Sequence, residues 1–294
     1  MMINAARIIN RGILKISGSD RLTFLQGLVT NDIAQLTKDK SLYSLLLTSQ
    51  GKHSFDLFLT AVGDEWWIEA DRTRLDELKK RLSLYKLRSN ITIDIDSEHH
   101  IFCLWGAEAA NIFDLANDLG QTQHTPLWHA YVDPRCTELG VRLMINTDHL
   151  NGLQQCEDVI IREAEDYRYH RYGLGIPESN SDLLVDKSIP LENGMDELNA
   201  ISWDKGCYMG QELTSRTRYR GLVRKRLFPV TINGSVDLEM PITADNVEIG
   251  QWRGVCQDRG LALIRLEAID KPLMCGDAKI SLSQPIWMKL PLGQ

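Results

Sequence analysis

The sequence lacks any apolar run close to the roughly 20 residues that a membrane-spanning helix needs. Its first residues also lack the long apolar stretch and the small-residue cleavage site of a secretory signal peptide. Hydrophobic residues make up 43% of the 294 residues and charged residues 25%, which is typical of globular proteins and unlike disordered ones. We therefore expect a cytoplasmic protein with two or more packed units and no membrane association.

Closely spaced cysteines are also lacking. The six cysteines lie at least 19 residues apart, so the sequence contains no CxxC pair. A zinc ribbon or a ferredoxin-type cluster needs several thiolates from nearby positions, so neither is expected. Most of the cysteines, such as Cys103 in the run IFCLW, are interpreted as small buried hydrophobes.

Positive charge is scarce, since 33 Lys and Arg stand against 40 Asp and Glu and give a net charge of −7. This excludes a protein that coats nucleic acid or acidic membranes over its whole surface. Segment 205–226 is the exception, with seven basic residues, one acid (Glu212) and a local charge of +6. Its basic residues are Lys205, Arg216, Arg218, Arg220, Arg224, Lys225 and Arg226. Such an imbalance indicates an anionic partner.

Short strands interleaved with helices predict an α+β fold with mainly antiparallel sheet. The residues after Asp71 predict an amphipathic helix with three leucines on one face. Further helices are predicted over 108–120 and 157–173. From residue 226 the pattern changes to short strands between turn residues, so we expect two domains, 1–225 and a C-terminal β-barrel at 226–294.

Cys207 is the candidate reactive residue. Its neighbours Gly206 and Gly210 allow unusual backbone dihedrals and close approach of a ligand, and Lys205 lies two residues away. The helix predicted to follow Gly210 and the positive charge of Lys205 would both favour a thiolate at Cys207. We predict that Cys207 is the most reactive of the six cysteines toward alkylation. From the residues alone, two alternatives stay open: a packing role for this cysteine and a solvated face for the basic segment.

The run KGCYMGQE resembles the signature K-G-C-aromatic-x-G-Q-E of the YgfZ family. Its residues are Lys205, Gly206, Cys207, Tyr208, Met209, Gly210, Gln211 and Glu212. Other segments follow in the family's order and cover nearly the whole chain: LKISGSDRLTFLQGLVTND, TSQGKHSFDLFL, LYKLRSNITI and DRGLALIRLEA. Two positions depart from the pattern, because Asn90 stands where the family usually has Lys and Arg11 where some members carry an aromatic residue.

The resemblance implies the fold of the glycine-cleavage aminomethyltransferase, with three units around a central folate cleft and a β-barrel as the last. It also implies tetrahydrofolate, or a derivative of it, as a ligand. Tyr167 matches a folate-contacting aromatic residue of the family, and Arg171 lies one helical turn later. Arg11 occupies the third position that the family associates with folate contact.

The family resemblance further implies a role in the assembly or repair of iron–sulfur proteins, with Cys207 as the acting residue. One thiolate cannot hold a cluster alone, so Cys207 would be one ligand of a cluster shared with an A-type iron–sulfur carrier. Client enzymes with [4Fe–4S] clusters, including those that modify tRNA, would be affected indirectly. Direct binding of nucleic acid is not expected.

Two other functions stay open from the sequence. A folate-dependent one-carbon (aminomethyl) transferase or demethylase needs an acidic residue near the folate, and no transferase-type motif follows ITIDI. Asp94 and Asp96 alternate with isoleucines there and are expected to face solvent. The basic segment would also suit an RNA-binding protein, whose affinity would depend steeply on salt.

Overall fold

A computed structural model describes residues 2–154, 156–179, 181–221 and 223–290. The chain forms two compact units, each assembled from three stretches of sequence. Unit 1 consists of Met1–Leu47, Phe55–Tyr167 and Leu198–Met209. Unit 2 consists of Thr48–Ser54, Arg168–Glu197 and Gly210–Gln294. The division of the chain into domains at 225/226 stays a prediction.

One sheet of unit 1 has five strands in the order β3-β4-β5-β2-β6. Its strands are β2 (Arg11–Ser17), β3 (Leu42–Leu47), β4 (His53–Val62), β5 (Glu65–Asp71) and β6 (Thr92–Ile95). Strand β2 pairs antiparallel with both β5 and β6, and β4 pairs antiparallel with β5. The predicted antiparallel arrangement is confirmed here, and a two-residue turn joins β4 to β5.

Two helices pack on this sheet, α1 (Arg21–Gln26) and α2 (Leu75–Lys86). The Asp71 side chain accepts a hydrogen bond that caps the 3-10 turn Arg72–Arg74, from which α2 continues. The predicted leucine face is confirmed, since three leucines of α2 lie in the core of the sheet: Leu75, Leu78 and Leu82.

The second sheet of unit 1 has six strands in the order β11-β1-β7-β10-β9-β8. Its strands are β1 (Ile3–Arg7), β7 (His99–Trp105), β8 (Thr122–His124), β9 (Trp128–Val132), β10 (Val141–Asn146) and β11 (Val159–Arg162). Strands β1 and β11 are parallel, and the other pairs are antiparallel. The short helix α3 (Leu150–Gln154) precedes β11.

Two of the predicted helices are corrected. The helix expected over 108–120 is wrong, because this stretch contains turns and a single 3-10 turn, Asn111–Phe113, which Asp114 ends at φ 52°. Asn and Asp side chains compete with helical hydrogen bonds, which explains the outcome. The helix expected over 157–173 begins only at Ala164, as α4 (Ala164–Gly173). Its first part forms β11, since consecutive β-branched residues favour a strand.

Unit 2 contains a closed barrel of six strands in the order β12-β15-β14-β13-β16-β17. The strands are β12 (Lys225–Asn233), β13 (Ile242–Ala244), β14 (Val247–Cys256), β15 (Arg259–Arg265), β16 (Leu273–Cys275) and β17 (Ala278–Leu282). Inward-facing side chains such as Phe228, Ile264 and Ile280 fill it. The predicted C-terminal β-barrel is confirmed, and its closure leaves no unpaired sheet edge.

Among the described residues, no helix has both the length and the apolar character needed to cross a membrane.

Candidate cysteine site

Cys207 is exposed, whereas the other five cysteines are buried or half-buried. All six lie among the described residues, so the comparison covers every thiol of the chain. Burial, together with a hydrogen bond to Glu138, raises the pKa of Cys136 to about 12 and keeps that thiol protonated. Cys207 is therefore the thiol that a partner molecule can reach most directly.

The segment carrying Cys207 is held on the loop that follows α1, by hydrogen bonds on both sides of the cysteine. Before it, Thr30 Oγ1 donates to the carbonyl oxygen of Ala200 over 2.6 Å. After it, Met209 N donates to the carbonyl oxygen of Gly27 over 3.1 Å. Thr30 is fully buried, which shields this anchor from water. The thiol is thus exposed on a backbone with a fixed position.

Lys205 is a third anchor of the same segment. Its Nζ donates to the carbonyl oxygens of Val29, over 2.8 Å, and Asn31, over 2.6 Å. Burial lowers the pKa of Lys205 to about 8, although the charge of Asp32 acts in the opposite direction. The ammonium group is committed to two backbone oxygens, and activation of Cys207 by Lys205 stays a prediction.

The two glycines of the motif differ. Gly210 has φ +82°, a conformation in which any other residue would be strained, so the expectation of an unusual dihedral is confirmed there. Gly206 has no positive φ, and a Cβ placed on it would meet nothing within 4 Å. Gly206 therefore shows no dihedral that other residues avoid, and close approach of a ligand beside it stays a prediction.

Two further motif residues, Tyr208 and Glu212, are accounted for by burial and by an ion pair respectively. Tyr208 is buried, and the Nζ of Lys205 lies 5.5 Å from the centre of its ring. The helix predicted after the second glycine is confirmed as α5 (Gln211–Tyr219). Glu212 in its first turn forms an exposed ion pair with Arg216 over 2.9 Å.

The basic segment 205–226 does not act as one patch. Arg226 is buried, donates to the carbonyl oxygen of Leu191 over 3.0 Å and pairs with Glu197. Together with Lys205, it therefore stabilises the fold. The exposed arginines of the segment are Arg216, Arg218, Arg220 and Arg224. The positive charge that the segment offers to a partner is smaller than the sequence predicts.

Two of the three predicted folate contacts are buried arginines that are already paired. The guanidinium group of Arg11 donates to Asp56 over 2.6 Å and to Glu69 over 2.9 Å. That of Arg171 donates over 2.6 Å both to Asp182 and to a backbone carbonyl oxygen. Each guanidinium group is thus neutralised inside its own unit, unit 1 for Arg11 and unit 2 for Arg171.

The third predicted contact, Tyr167 of unit 1, is only 2% exposed and packs with its ring centre 5.4 Å from that of Trp105. Burial raises its pKa well above the ordinary value. As placed, Arg11, Tyr167 and Arg171 do not fit direct contact with a bound folate. Folate binding itself stays a prediction.

Unit 1 contains a buried ionic network that the sequence patterns do not predict. Three arginines surround the ring of Phe58. The guanidinium carbons of Arg11, Arg135 and Arg142 lie 5.3, 4.8 and 4.0 Å from its centre, respectively. Three carboxylates pair with them: Asp56, Glu69 and Asp133. The six charges balance, and each sits more than nine-tenths buried. No local pattern reveals the network, because its members come from several strands and loops.

The expectation that Asp96 faces solvent is wrong, since its side chain is 2% exposed. Lys15 Nζ donates to it over 2.7 Å, and His99 Nδ1 lies 3.1 Å away. Burial alone would raise the pKa of Asp96, but these hydrogen bonds outweigh it and hold the pKa well below its usual value. Asp96, Glu98 and His99 offer ligand atoms within 4.8 Å of one another, yet the Lys15 ammonium group disfavours a metal ion there. Asp94 is exposed, as expected.

Next to Asp96 lies a histidine cluster, which consists of His99, His124 and His129. The sequence patterns do not predict it. The rings of His99 and His129 both meet Trp67 edge-on, at 4.6 and 4.8 Å between centres. The Nδ1 atoms of His124 and His129 are 3.0 Å apart. Burial lowers the pKa of His129 to about 4, with His124 contributing in the same direction.

Comparison with solved structures identifies the fold of the chain. The structure matches the glycine cleavage system aminomethyltransferase T from Bartonella henselae with a TM-score of 0.79, covering 98% of this chain and 86% of that one. Sequence identity is 14%, so this likeness shows the fold alone. Residues 224–290 match the family model described as CAF17, C-terminal beta-barrel domain. The predicted aminomethyltransferase-like fold with a C-terminal barrel is confirmed.

Sequence relatives identify the family to which the chain belongs. The iron-sulfur cluster assembly factor IBA57, mitochondrial, of Mus musculus is 31% identical, over 91% of this chain and 79% of that protein. The human protein of the same name is 30% identical over the same shares. The homolog from Pyricularia oryzae is 32% identical, over 93% of this chain and 74% of that protein. The chain belongs to the family of the iron–sulfur cluster assembly factor IBA57.

These relatives bear on two further predictions. The matched relatives carry the IBA57 name and not the YgfZ name, so the IBA57 family is shown and membership of the YgfZ family itself stays a prediction. The expected cytoplasmic location is wrong by the same comparison. The mouse, human and Pyricularia relatives are all named mitochondrial, which points to mitochondria rather than the cytoplasm.

Proposed function

We propose that this chain serves the assembly or repair of iron–sulfur proteins and that it acts through Cys207. The observation that carries the proposal is the exposure of this one thiol on an anchored backbone. A thiolate is a soft ligand that iron–sulfur clusters accept. The names of the family's members, iron–sulfur cluster assembly factors, support the same role.

The cluster is shared with a second protein in this proposal. Iron–sulfur clusters take about four protein ligands, and the chain offers one exposed thiol. Cys156, the half-buried one, packs against the core of the six-stranded sheet. The missing thiolates therefore come from a partner, which we propose is an A-type iron–sulfur carrier. Client enzymes with [4Fe–4S] clusters, among them those that modify tRNA, then depend on the pair.

The replacement Cys207→Ser tests the proposal, because it keeps the size of the side chain and removes the soft ligand. We expect the variant to fold normally, since the residue is exposed, and to fail to restore [4Fe–4S] enzyme activity in a strain that lacks the protein. Cys156→Ser is the matched control and should restore activity. Equal restoration by Cys207→Ser and the unaltered protein would remove Cys207 from the mechanism.

We further propose that the chain binds tetrahydrofolate or a derivative of it. The aminomethyltransferase-like fold supports this, whereas the three residues predicted to contact folate do not. A ligand that binds only the folded state stabilises it, by about 2.7 kcal/mol at 100 times its Kd. Tetrahydrofolate should therefore raise the melting temperature. A melting curve that saturating tetrahydrofolate leaves unmoved would contradict this part of the proposal.

A further inference from the structure

The C-terminal end of α2 exposes an unusual amount of apolar surface. Leu84 is 70% exposed, Tyr85 43% and Leu87 89%, and we call these three residues the α2 tip. The helix already buries a separate leucine face in the core, so the packing of unit 1 does not require the α2 tip. Clustered exposed apolar side chains mark interaction sites, whereas single ones need no explanation.

Leu87 is also strained. It ends α2 with φ 44° and ψ −108°, in a region that residues other than glycine rarely adopt. Its side chain is almost fully exposed, so packing within the chain does not offset the strain. Strain of this kind persists chiefly where function requires it. The backbone here presents the leucine to solvent.

The α2 tip is joined to the cysteine motif within unit 1. Tyr85 Oη donates a hydrogen bond to Sδ of Met209 over 3.2 Å. Met209 follows Cys207 by two residues and is itself fixed to the loop after α1. A protein that covers the α2 tip is therefore brought to the segment that carries the exposed thiol.

Charge around the α2 tip indicates the chemistry of that protein. Lys80 and Arg88 are exposed and Lys86 is half-buried. Among the residues that the structure describes, none of the three forms an ion pair, although nearby Lys79 pairs with Asp94. The chain as a whole carries −7, so this rim of positive charge is a local feature that would attract carboxylates.

We propose that the α2 tip is the docking surface for the partner protein that shares a cluster with Cys207. The partner presents an apolar segment flanked by acidic side chains, which cover the two leucines and meet the three cations. This inference rests on the proposed function and adds to it the surface that selects the partner. A nucleic acid fits less well, because exposed leucines offer nothing to a phosphate backbone.

The test measures binding of a purified, cluster-free A-type iron–sulfur carrier to the full-length chain. The double variant Leu84→Gln, Leu87→Gln should weaken the affinity tenfold or more, because two buried leucines are lost from the interface. Leu127→Gln is the matched control, since Leu127 is 48% exposed elsewhere in unit 1, and it should bind normally. Cys207→Ser should bind the cluster-free carrier within about twofold of the unaltered chain.

Two further variants separate binding from folding. Leu87→Gly relieves the strain, because glycine has no Cβ and adopts this region freely, so it should raise the melting temperature while it weakens carrier binding. Replacing Lys86 and Arg88 by Glu should weaken binding and reduce its dependence on salt. Both results together support an interface of mixed apolar and ionic character.

Other outcomes overturn the inference. If the carrier binds the leucine variant as tightly as the unaltered chain, docking at the α2 tip is refuted, and the proposed function still stands on the result for Cys207→Ser in cells. If the carrier fails to bind the unaltered chain and Cys207→Ser is fully active in cells, the docking surface and the proposed function are both refuted. If the leucine variant instead loses binding of labelled RNA, or self-association measured by light scattering, the surface serves another occupant and the inference is wrong.

Discussion

Two polar assemblies within unit 1 use their side chains in opposite ways. In the buried ionic network, three guanidinium groups and three carboxylates satisfy one another around the ring of Phe58. In the segment around Cys207, side chains such as Thr30 and Lys205 bond to backbone carbonyl oxygens and leave the thiol exposed. The first assembly is closed to ligands, whereas the second fixes a reactive group at the surface.

Residue type alone therefore does not separate structural from functional charges. Arg11 is predicted to contact a ligand, and it belongs to the closed network. Lys205 is predicted to activate a thiol, and it anchors backbone. In both cases the atoms to which the side chain donates its hydrogen bonds show that the residue stabilises the fold. A charge that is fully paired and buried supports the fold, and only a group left exposed by such pairs is available for chemistry.

The largest effect on stability is expected from breaking the buried ionic network. Arg142→Met removes the guanidinium group that pairs with Glu69 and lies 3.4 Å from Asp133. Glu69 still pairs with Arg11 and Asp133 with Arg135, but the network then holds one buried negative charge in excess, which costs about 3–5 kcal/mol. The free energy of unfolding, measured with urea, should fall by that amount.

A matched control shows whether burial is responsible. Lys79→Met also breaks an ion pair, but both side chains of that pair, Lys79 and Asp94, are partly exposed. Its cost should stay below about 1 kcal/mol. Similar losses for the two variants would contradict the view that the network owes its importance to burial.

A smaller effect is expected at the cysteine segment. Lys205→Met removes two charge-assisted hydrogen bonds to backbone carbonyl oxygens and should lower the free energy of unfolding by about 1–3 kcal/mol. Amide hydrogen exchange over 200–209 should accelerate, because the segment loses an anchor. Gly206→Ala is the control, since its added methyl group meets nothing within 4 Å. Unchanged exchange in Lys205→Met would show that the segment is held without it.

The sequence predicts the helices and strands better than it predicts the buried contacts of individual side chains. Periodic leucines define α2, and alternating residues define strands such as β6, because these signals are local. The helix expected over 108–120 fails because its Asn and Asp residues favour turns. The buried position of Asp96 depends on Lys15, which lies far away in sequence, so no local signal could reveal it. Motif residues locate Cys207, but its anchors come from a distant loop.

The smallest effect at neutral pH is expected at the histidine cluster, because this effect grows only as the pH decreases. The pKa of His129 is about 4 in the folded chain because of burial, against an ordinary value near 6.5. Between these two values the unfolded chain binds a proton that the folded chain does not, so the free energy of unfolding should fall as the pH decreases from 6.5 toward 4. Asp96 does not contribute in this window, because its pKa is lowered and its effect appears only in stronger acid. In His129→Gln the decline between pH 7 and 5, followed by urea unfolding, should be shallower than in the unaltered chain, while His149→Gln, outside the cluster, should keep the original slope. An equally steep decline in His129→Gln would show that the cluster does not hold His129 neutral.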